Sequence, residues 1–210
     1  VPNNLDGARW FAGQSIDWAP KKLDDPRKDK PVYSVAAGSR HLCALVDIGM
    51  DKVTLACYGD NSRGQKGTPG EGNEGGFNAM WNADERPISL VAGREHTCAL
   101  VESRLSSDAN RLVYCWGDNR FGQSGGVEPN VAGRAAIIDT PTLVPGLEHL
   151  NVLQVHAGAH HTCALGAKPV MGSGNMSDFE LVCWGRDSYG QVSARDVYVK
   201  PEPTVLEVLR

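Results

Sequence analysis

Ala92-Gly93-Arg94-Glu95-His96-Thr97-Cys98-Ala99-Leu100 and, further on, Cys115-Trp116-Gly117-Asp118-Asn119-Arg120-Phe121-Gly122-Gln123 decide the fold, because both blocks occur three times in the chain. The first block returns as Ala37-Gly38-Ser39-Arg40-His41-Leu42-Cys43-Ala44-Leu45 and as Ala157-Gly158-Ala159-His160-His161-Thr162-Cys163-Ala164-Leu165. The second returns as Cys57-Tyr58-Gly59-Asp60-Asn61-Ser62-Arg63-Gly64-Gln65 and as Cys183-Trp184-Gly185-Arg186-Asp187-Ser188-Tyr189-Gly190-Gln191. Repetition of this kind marks an array of supersecondary units, each too small to bury its apolar faces alone.

The blocks read as strands. In the first, His96, Cys98 and Leu100 share one face while Thr97 and Ala99 point the other way. In Leu112-Val113-Tyr114-Cys115-Trp116, the aromatics Tyr114 and Trp116 lie opposite Val113 and Cys115, and the β-branched and aromatic content favours strand over helix. Gly117-Asp118-Asn119 then supplies turn chemistry.

The six cysteines fall two to a repeat, separated by 14, 17 and 20 residues. The flanking motifs stay fixed while the separation grows, so the additional residues belong at a hairpin tip. Facing side chains on adjacent antiparallel strands lie about 4.5–5.5 Å apart, within reach of a disulfide. Of the 15 pairings that six cysteines permit, repetition selects Cys43–Cys57, Cys98–Cys115 and Cys163–Cys183, each closing a loop worth about 3 kcal/mol in the chain-entropy model. Buried free thiols and a metal site are the alternatives; a zinc site usually shows a tight Cys-x2–4-Cys step, which the chain lacks. Disulfides would place the protein in an oxidising compartment: periplasm, cell surface or exterior.

The 210 residues carry a formal net charge of −4, which argues against a nucleic-acid partner. Lys28-Asp29-Lys30 reads as a solvated loop. The 24 glycines and 12 prolines suit short strands joined by many turns. No apolar stretch approaches the roughly 18 residues of a membrane span. Val1 in place of Met marks a processed chain or a fragment.

Ala-Gly-x-x-His-x-x-Ala-Leu followed by Trp-Gly-x-Asn-x-x-Gly-Gln resembles the regulator-of-chromosome-condensation repeat, and the form with Cys after His-Thr and before Trp-Gly resembles exported bacterial members. The resemblance covers roughly residues 31–200. It implies an all-β fold of β-propeller blades, about one four-stranded blade per repeat, with complete members usually carrying seven. Tyr58 stands where the other copies have Trp, and Arg186-Asp187-Ser188 departs from the usual turn. The organisation expected is a partial preceding repeat and linker over 1–30, where Gly7–Ser15 loosely echoes Gly117–Ser124. Repeats over 31–86, 87–150 and 151–200 follow. The start of a next repeat is read at 201–210, where Pro203-Thr204-Val205-Leu206 echoes Pro141-Thr142-Leu143-Val144. Three blades cannot close a ring, so an open arc or a piece of a larger propeller is expected.

His41, His96 and His161 recur at one position, as blade-to-blade hydrogen bonders would. His156, His160 and His161 cluster in sequence, but no Cys or carboxylate sits beside them at ligand spacing. No nucleophile elbow or phosphate loop occurs, so no catalytic residue, metal or cofactor is assigned. Long loops on a rigid scaffold are where binding sits. The candidate partner-binding residues are Phe77 and Trp81 in the insertion after the first Gly-Gln, with Trp81 equally able to fold back over its own blade, and Arg120, Phe121 and Tyr189 in the turns. The reading is a non-catalytic, exported protein-interaction module: a subunit of a larger assembly whose partner is another protein or further propeller repeats. An exported enzyme inhibitor and a guanine-nucleotide exchange factor are the alternatives.

Overall fold

The computed structural model describes residues 8–10, 14–16, 30–50, 52–69, 77–78, 81, 84–103, 111–125, 137–169, 176–192 and 199–205, and every regular element among them is a strand. The chain divides into two compact units, Val1–Lys30 and Pro31–Arg210. In the first, β1 (Ala8–Trp10) and β2 (Gln14–Ile16) form an antiparallel ribbon with Trp10 opposite Gln14. The rest of the segment read as a partial preceding repeat lies outside the described residues. No helix of the described residues is long and apolar enough to cross a membrane.

The second unit holds three four-stranded antiparallel sheets, each an up-and-down meander. The first contains β3 (Val32–Ala37), β4 (His41–Gly49), β5 (Lys52–Gly59) and β6 (Phe77–Asn78). The second contains β7 (Glu85–Ala92), β8 (His96–Ser103), β9 (Arg111–Asp118) and β10 (Ile137–Leu143). The third contains β11 (Asn151–Ala157), β12 (His161–Pro169), β13 (Met176–Arg186) and β14 (Val199–Val205). These are propeller blades in an unclosed run, as the repeat count implies.

The structure sets the phase of the repeat. Val199–Val205 pairs with β13, Thr204 opposite Cys183, so the segment read as opening a next repeat completes the third sheet. Pro141-Thr142-Leu143 occupies the same place in the second sheet, Thr142 opposite Cys115. The echo between the two segments is therefore an equivalence of fourth strands. Both contain proline, which a sheet tolerates on an edge strand, where the missing N–H costs no ladder bond.

The central hairpins carry the cysteines. Cys43 faces Cys57, Cys98 faces Cys115 and Cys163 faces Cys183 in register, and all three pairs are disulfide-bonded with Cα atoms 4.1 Å apart. Pairing runs on to Gly49↔Lys52, Glu102↔Arg111 and Pro169↔Met176, so the second copy is lengthened beyond its last pair, and the third partly there and partly within its paired arm, which carries a register shift at Ala167/Lys168.

The second sheet is buried on both faces. On one face, Cys98, Leu100, Val113 and Cys115 turn toward the third sheet and share one core with its Val152, Val155, Ala164 and Trp184. Its other face turns Leu90, Ala99, Val101 and Trp116 toward Cys43, Leu45, Leu55 and Cys57 of the first. We call the face toward the next sheet the trailing face and the face toward the previous one the leading face. Period-two alternation thus builds both junctions from one repeated sequence.

Candidate functional site

The polar residues of the repeat converge on the junctions between sheets. Behind each Trp-Gly or Tyr-Gly strand end the chain turns with glycine at positive φ; Gly117 is at +106°, and a Cβ there would lie 2.5 Å from the Glu95 carbonyl oxygen. The turn is then fixed from within. Asn119 Oδ1 accepts from Ser124 N (3.0 Å) and Gln123 Oε1 from Phe121 N (2.9 Å). Asn61 and Gln65 do the same in the first copy. In the third, Asp187 Oδ1 accepts from Val192 N at 2.7 Å and Gln191 Oε1 from Tyr189 N at 2.8 Å. The departure at Arg186-Asp187-Ser188 leaves the turn intact, because a carboxylate oxygen accepts where an amide oxygen did.

Holding the glutamine side chain inward aims its backbone carbonyl at the next sheet. The Gln65 carbonyl accepts from Thr97 Oγ1 and from Trp116 Nε1, each at 3.0 Å. The Gln123 carbonyl accepts from Thr162 Oγ1 at 2.8 Å and Trp184 Nε1 at 3.1 Å. Each threonine also meets the preceding sheet's histidine: His41 Nε2 lies 2.8 Å from Thr97 Oγ1, and His96 Nε2 lies 2.9 Å from Thr162 Oγ1. A threonine hydroxyl has one proton, and here the carbonyl takes it. The imidazole must therefore donate, which fixes His41 and His96 as the Nε2–H tautomer. The relay runs His Nε2–H to Thr Oγ–H to the Gln carbonyl, whose second lone pair receives the indole.

Burial enforces this state. His96 is fully buried and its pKa is pushed down to about 3, with nearby Asp118 opposing the effect only in part. Burial likewise pushes His41 down to about 4 against the pull of Asp60. The glycine of Ala-Gly follows from the same packing, since a Cβ on Gly93 would collide with the His96 ring and with the next sheet's Gly158 carbonyl. Backbone bonds tie the turns together: Ser39 N donates to Arg94 O and Arg94 N to Ala159 O, both at 3.0 Å. The Ala-Gly turns of the three sheets line one open cavity. A neutral imidazole locked this way is a strut between sheets.

The candidate binding residues separate in the structure. Phe121 packs edge-on against His160 of the third sheet (5.3 Å between centroids), with Arg186 Cζ 5.2 Å from its ring centroid. Arg120 is held within its own sheet by Asp118 at 2.7 Å and Glu95 at 3.1 Å. Trp81 is partly buried against the core shared by the first two sheets, and the side chain of Phe77 lies outside the described residues. Tyr189, at the position of Phe121, is 89% exposed. The sequence histidines diverge: His156 reaches Gln154, His160 packs on Phe121, and His161 sits on the trailing face of the third sheet. Among the described residues no three His, Cys, Asp or Glu side chains converge as metal ligands would.

Sequence reasoning missed the threonines and the glutamine carbonyl. The signal was available: Thr97 and Thr162 recur with Trp116 and Trp184, while the first copy has Leu42 with Tyr58.

Known proteins share this architecture. Human WBSCR16 superimposes with a TM-score of 0.62 at 24% identity over 92% of this chain and 43% of its own. Prp20p of Saccharomyces cerevisiae superimposes with a TM-score of 0.65 at 18% identity over 97% of this chain and 46% of its own. In sequence, Protein pim1 of Schizosaccharomyces pombe is 35% identical over 109 residues, 52% of this chain and 17% of pim1. The probable E3 ubiquitin-protein ligase HERC6 of Homo sapiens is 28% identical over 162 residues, 77% of this chain and 13% of that protein. The chain thus spans under half the length of each. Two models described as "Regulator of chromosome condensation (RCC1) repeat" match, one over residues 112–165 and the other over 32–65 and 88–123. Those segments contain all three His-Thr or His-Leu steps, the first two Gly-Gln turns and the first two cysteine pairs, and the chain belongs to the RCC1 repeat family.

Proposed function

We propose that this protein is a non-catalytic interaction module, an exported subunit that serves as one part of a larger propeller-containing assembly. The observation that carries the reading is the contrast between inner and outer faces. Val35 in β3 is 57% exposed, whereas its counterparts Leu90 and Val155 are 5% and 7% exposed beneath the preceding sheet. Apolar positions of this kind on a terminal sheet are the part of a junction that another polypeptide can cover. The partner is another protein or further propeller repeats. Disulfides in all three hairpins support an oxidising compartment, because such bonds are kept reduced in a cytosol. Prp20p is described as binding Gsp1p and histones; for this chain a protein partner follows from the same scaffold, and its identity from experiment.

The test is co-purification of the protein from its source under non-reducing conditions, with hydrogen exchange of the bound and free chain. A stoichiometric partner that protects β3 or β12–β13 is expected. Recovery as a lone monomer with both terminal sheets already protected would overturn the proposal.

A further inference from the structure

One backbone bond ties the same two positions in every repeat. Asp60 N donates to Arg40 O at 2.9 Å, and Asp118 N to Glu95 O and Arg186 N to His160 O do so at 2.8 Å. The side chains at these positions change charge from copy to copy. In the first, Arg40 and Asp60 oppose each other, 3.9 Å apart. In the second, Glu95 and Asp118 are both acids, and Arg120 lies 3.1 Å from one and 2.7 Å from the other. In the third the pair is His160 and Arg186, with no carboxylate. The following Asp187 is buried and turns its Oδ1 to Val192 N at 2.7 Å. Cationic groups gather at this third pair. Arg94 of the second sheet is bound through its backbone N to Ala159 O, one residue before His160. Its side chain is exposed and has no ion-pair partner among the described residues. Arg186 and His160 meet on the ring of Phe121, and the buried His160 Nδ1 has no hydrogen-bond partner. Burial lowers the His160 pKa, and Arg94, Arg186 and Arg120 lower it further against the pull of Asp118.

We infer that Arg94, Arg186 and His160, above the junction of the second and third sheets, form a carboxylate site that receives a glutamate or aspartate side chain from an acidic segment of a protein partner. The second copy shows the complementary arrangement, two carboxylates filled by one guanidinium; here guanidinium and imidazole hold the same two positions, and a carboxylate completes the balance. The exposed fork of Arg94 presents parallel N–H donors that match a carboxylate. Arg94 also borders the open cavity lined by the Ala-Gly turns, which gives a chain segment a path to the site. Glu95 and Asp118 stand beside it and would repel a run of closely spaced phosphates, which favours an isolated acidic side chain over nucleic acid. The inference rests on the reading of the chain as a protein-interaction module and gives the partner its chemistry.

The experiment uses the whole chain with its disulfides intact. The probe is an acetylated, amidated pentapeptide that alternates serine with glutamate, and its glutamine counterpart is the control. Histidine ring resonances are followed by nuclear magnetic resonance as peptide and pH are varied. The glutamate peptide should shift the His160 resonances saturably and raise the His160 pKa, since a bound anion favours the protonated ring. Added salt should weaken the effect, and the glutamine peptide should produce none. Arg94→Gln should weaken binding about tenfold, as loss of one charged hydrogen-bonding group implies, with circular dichroism unchanged; Arg94→Lys should restore part of it. Arg111→Gln makes the same change of charge at the far end of the hairpin and should leave binding as it was. No saturable shift at His160, equal binding of the glutamine peptide, an equal loss with Arg111→Gln, or tighter binding of a single-stranded oligonucleotide of the same charge overturns the proposal. A native partner that binds the Arg94→Gln protein as tightly as the wild type refutes the site and leaves the interaction-module reading standing. Recovery of no partner refutes that reading, while the peptide titration still decides the site.

Discussion

Thr162→Val tests the relay at its middle. Valine keeps the β-branched shape that the strand and the junction accept and exchanges the hydroxyl for a methyl. Two bonds go: the donation to the Gln123 carbonyl at 2.8 Å and the acceptance from His96 Nε2 at 2.9 Å. The losses are unequal. The Gln123 carbonyl keeps the Trp184 indole at 3.1 Å, so it forfeits roughly 1 kcal/mol of net bonding. His96 keeps nothing, since its Nδ1 has no partner and the ring is fully buried; an orphaned buried donor costs about 1–3 kcal/mol. The expected destabilisation is about 2–4 kcal/mol, a large fraction of the 5–15 kcal/mol typical of folded domains. Urea unfolding followed by the fluorescence of the buried Trp116 and Trp184 would measure it, with hydrogen exchange of β8 and β12 to detect one sheet opening alone. In a His96→Leu background the same substitution should cost only about 1 kcal/mol, because no imidazole is left to orphan. A cost below about 0.5 kcal/mol, or one indifferent to residue 96, would refute the relay.

Acidification attacks the same junctions. His41 and His96 stay neutral when folded, whereas an unfolded imidazole takes its proton near pH 6.5. Stability should hold above that pH and fall by up to about 1.4 kcal/mol per pH unit per histidine as the pH drops toward 4; unfolding free energies at pH 7.5, 6 and 5 would show it, and His96→Leu should flatten the slope. Gly93→Ala forces a methyl against the His96 ring and should cost about 1–3 kcal/mol by overpacking, read as a lowered urea midpoint; a neutral result would mean that the ring does not lie against the turn. Replacing Cys98 and Cys115 together with alanine should remove about 3 kcal/mol while circular dichroism still reports a β fold, since the register is also held by the flanking ladder; a collapse of the other two hairpins would contradict that independence.

The cysteine pairs were legible because each lies in a hairpin whose flanks repeat while its tip varies, a pattern that leaves one register. The histidines were legible as junction residues because one function cannot need three identical catalysts. The phase of the repeat was not. Pro203-Thr204-Val205 and Pro141-Thr142-Leu143 are equivalent on any reading of the sequence, but whether they end one sheet or begin the next depends on which strand they pair with, and an edge strand rich in proline carries little pattern of its own. Trp81 was ambiguous for a related reason: an aromatic in an insertion reads the same whether it covers its own core or a partner's. Phe121 was placed at a partner surface by residue type, and its neighbours His160 and Arg186 belong to the next sheet of the same chain. For a repeat protein the sequence shows what each copy presents, and only the geometry shows that the next copy receives it.

Leu42 and Tyr58 look like two unrelated departures when the copies are aligned, yet in the fold they are one. In the second and third copies these positions converge on a single acceptor, the glutamine carbonyl of the preceding sheet, so the first copy lacks both donors of that junction at once. Symmetry gives that loss a consequence. A run of sheets whose leading and trailing faces fitted each other would be a heterologous interface, and such interfaces propagate into rings where the rotation closes and into filaments where it does not. A leading face without the threonine hydroxyl and the indole N–H lacks the two groups through which both internal junctions are joined, so the first sheet does not reproduce those junctions against another copy.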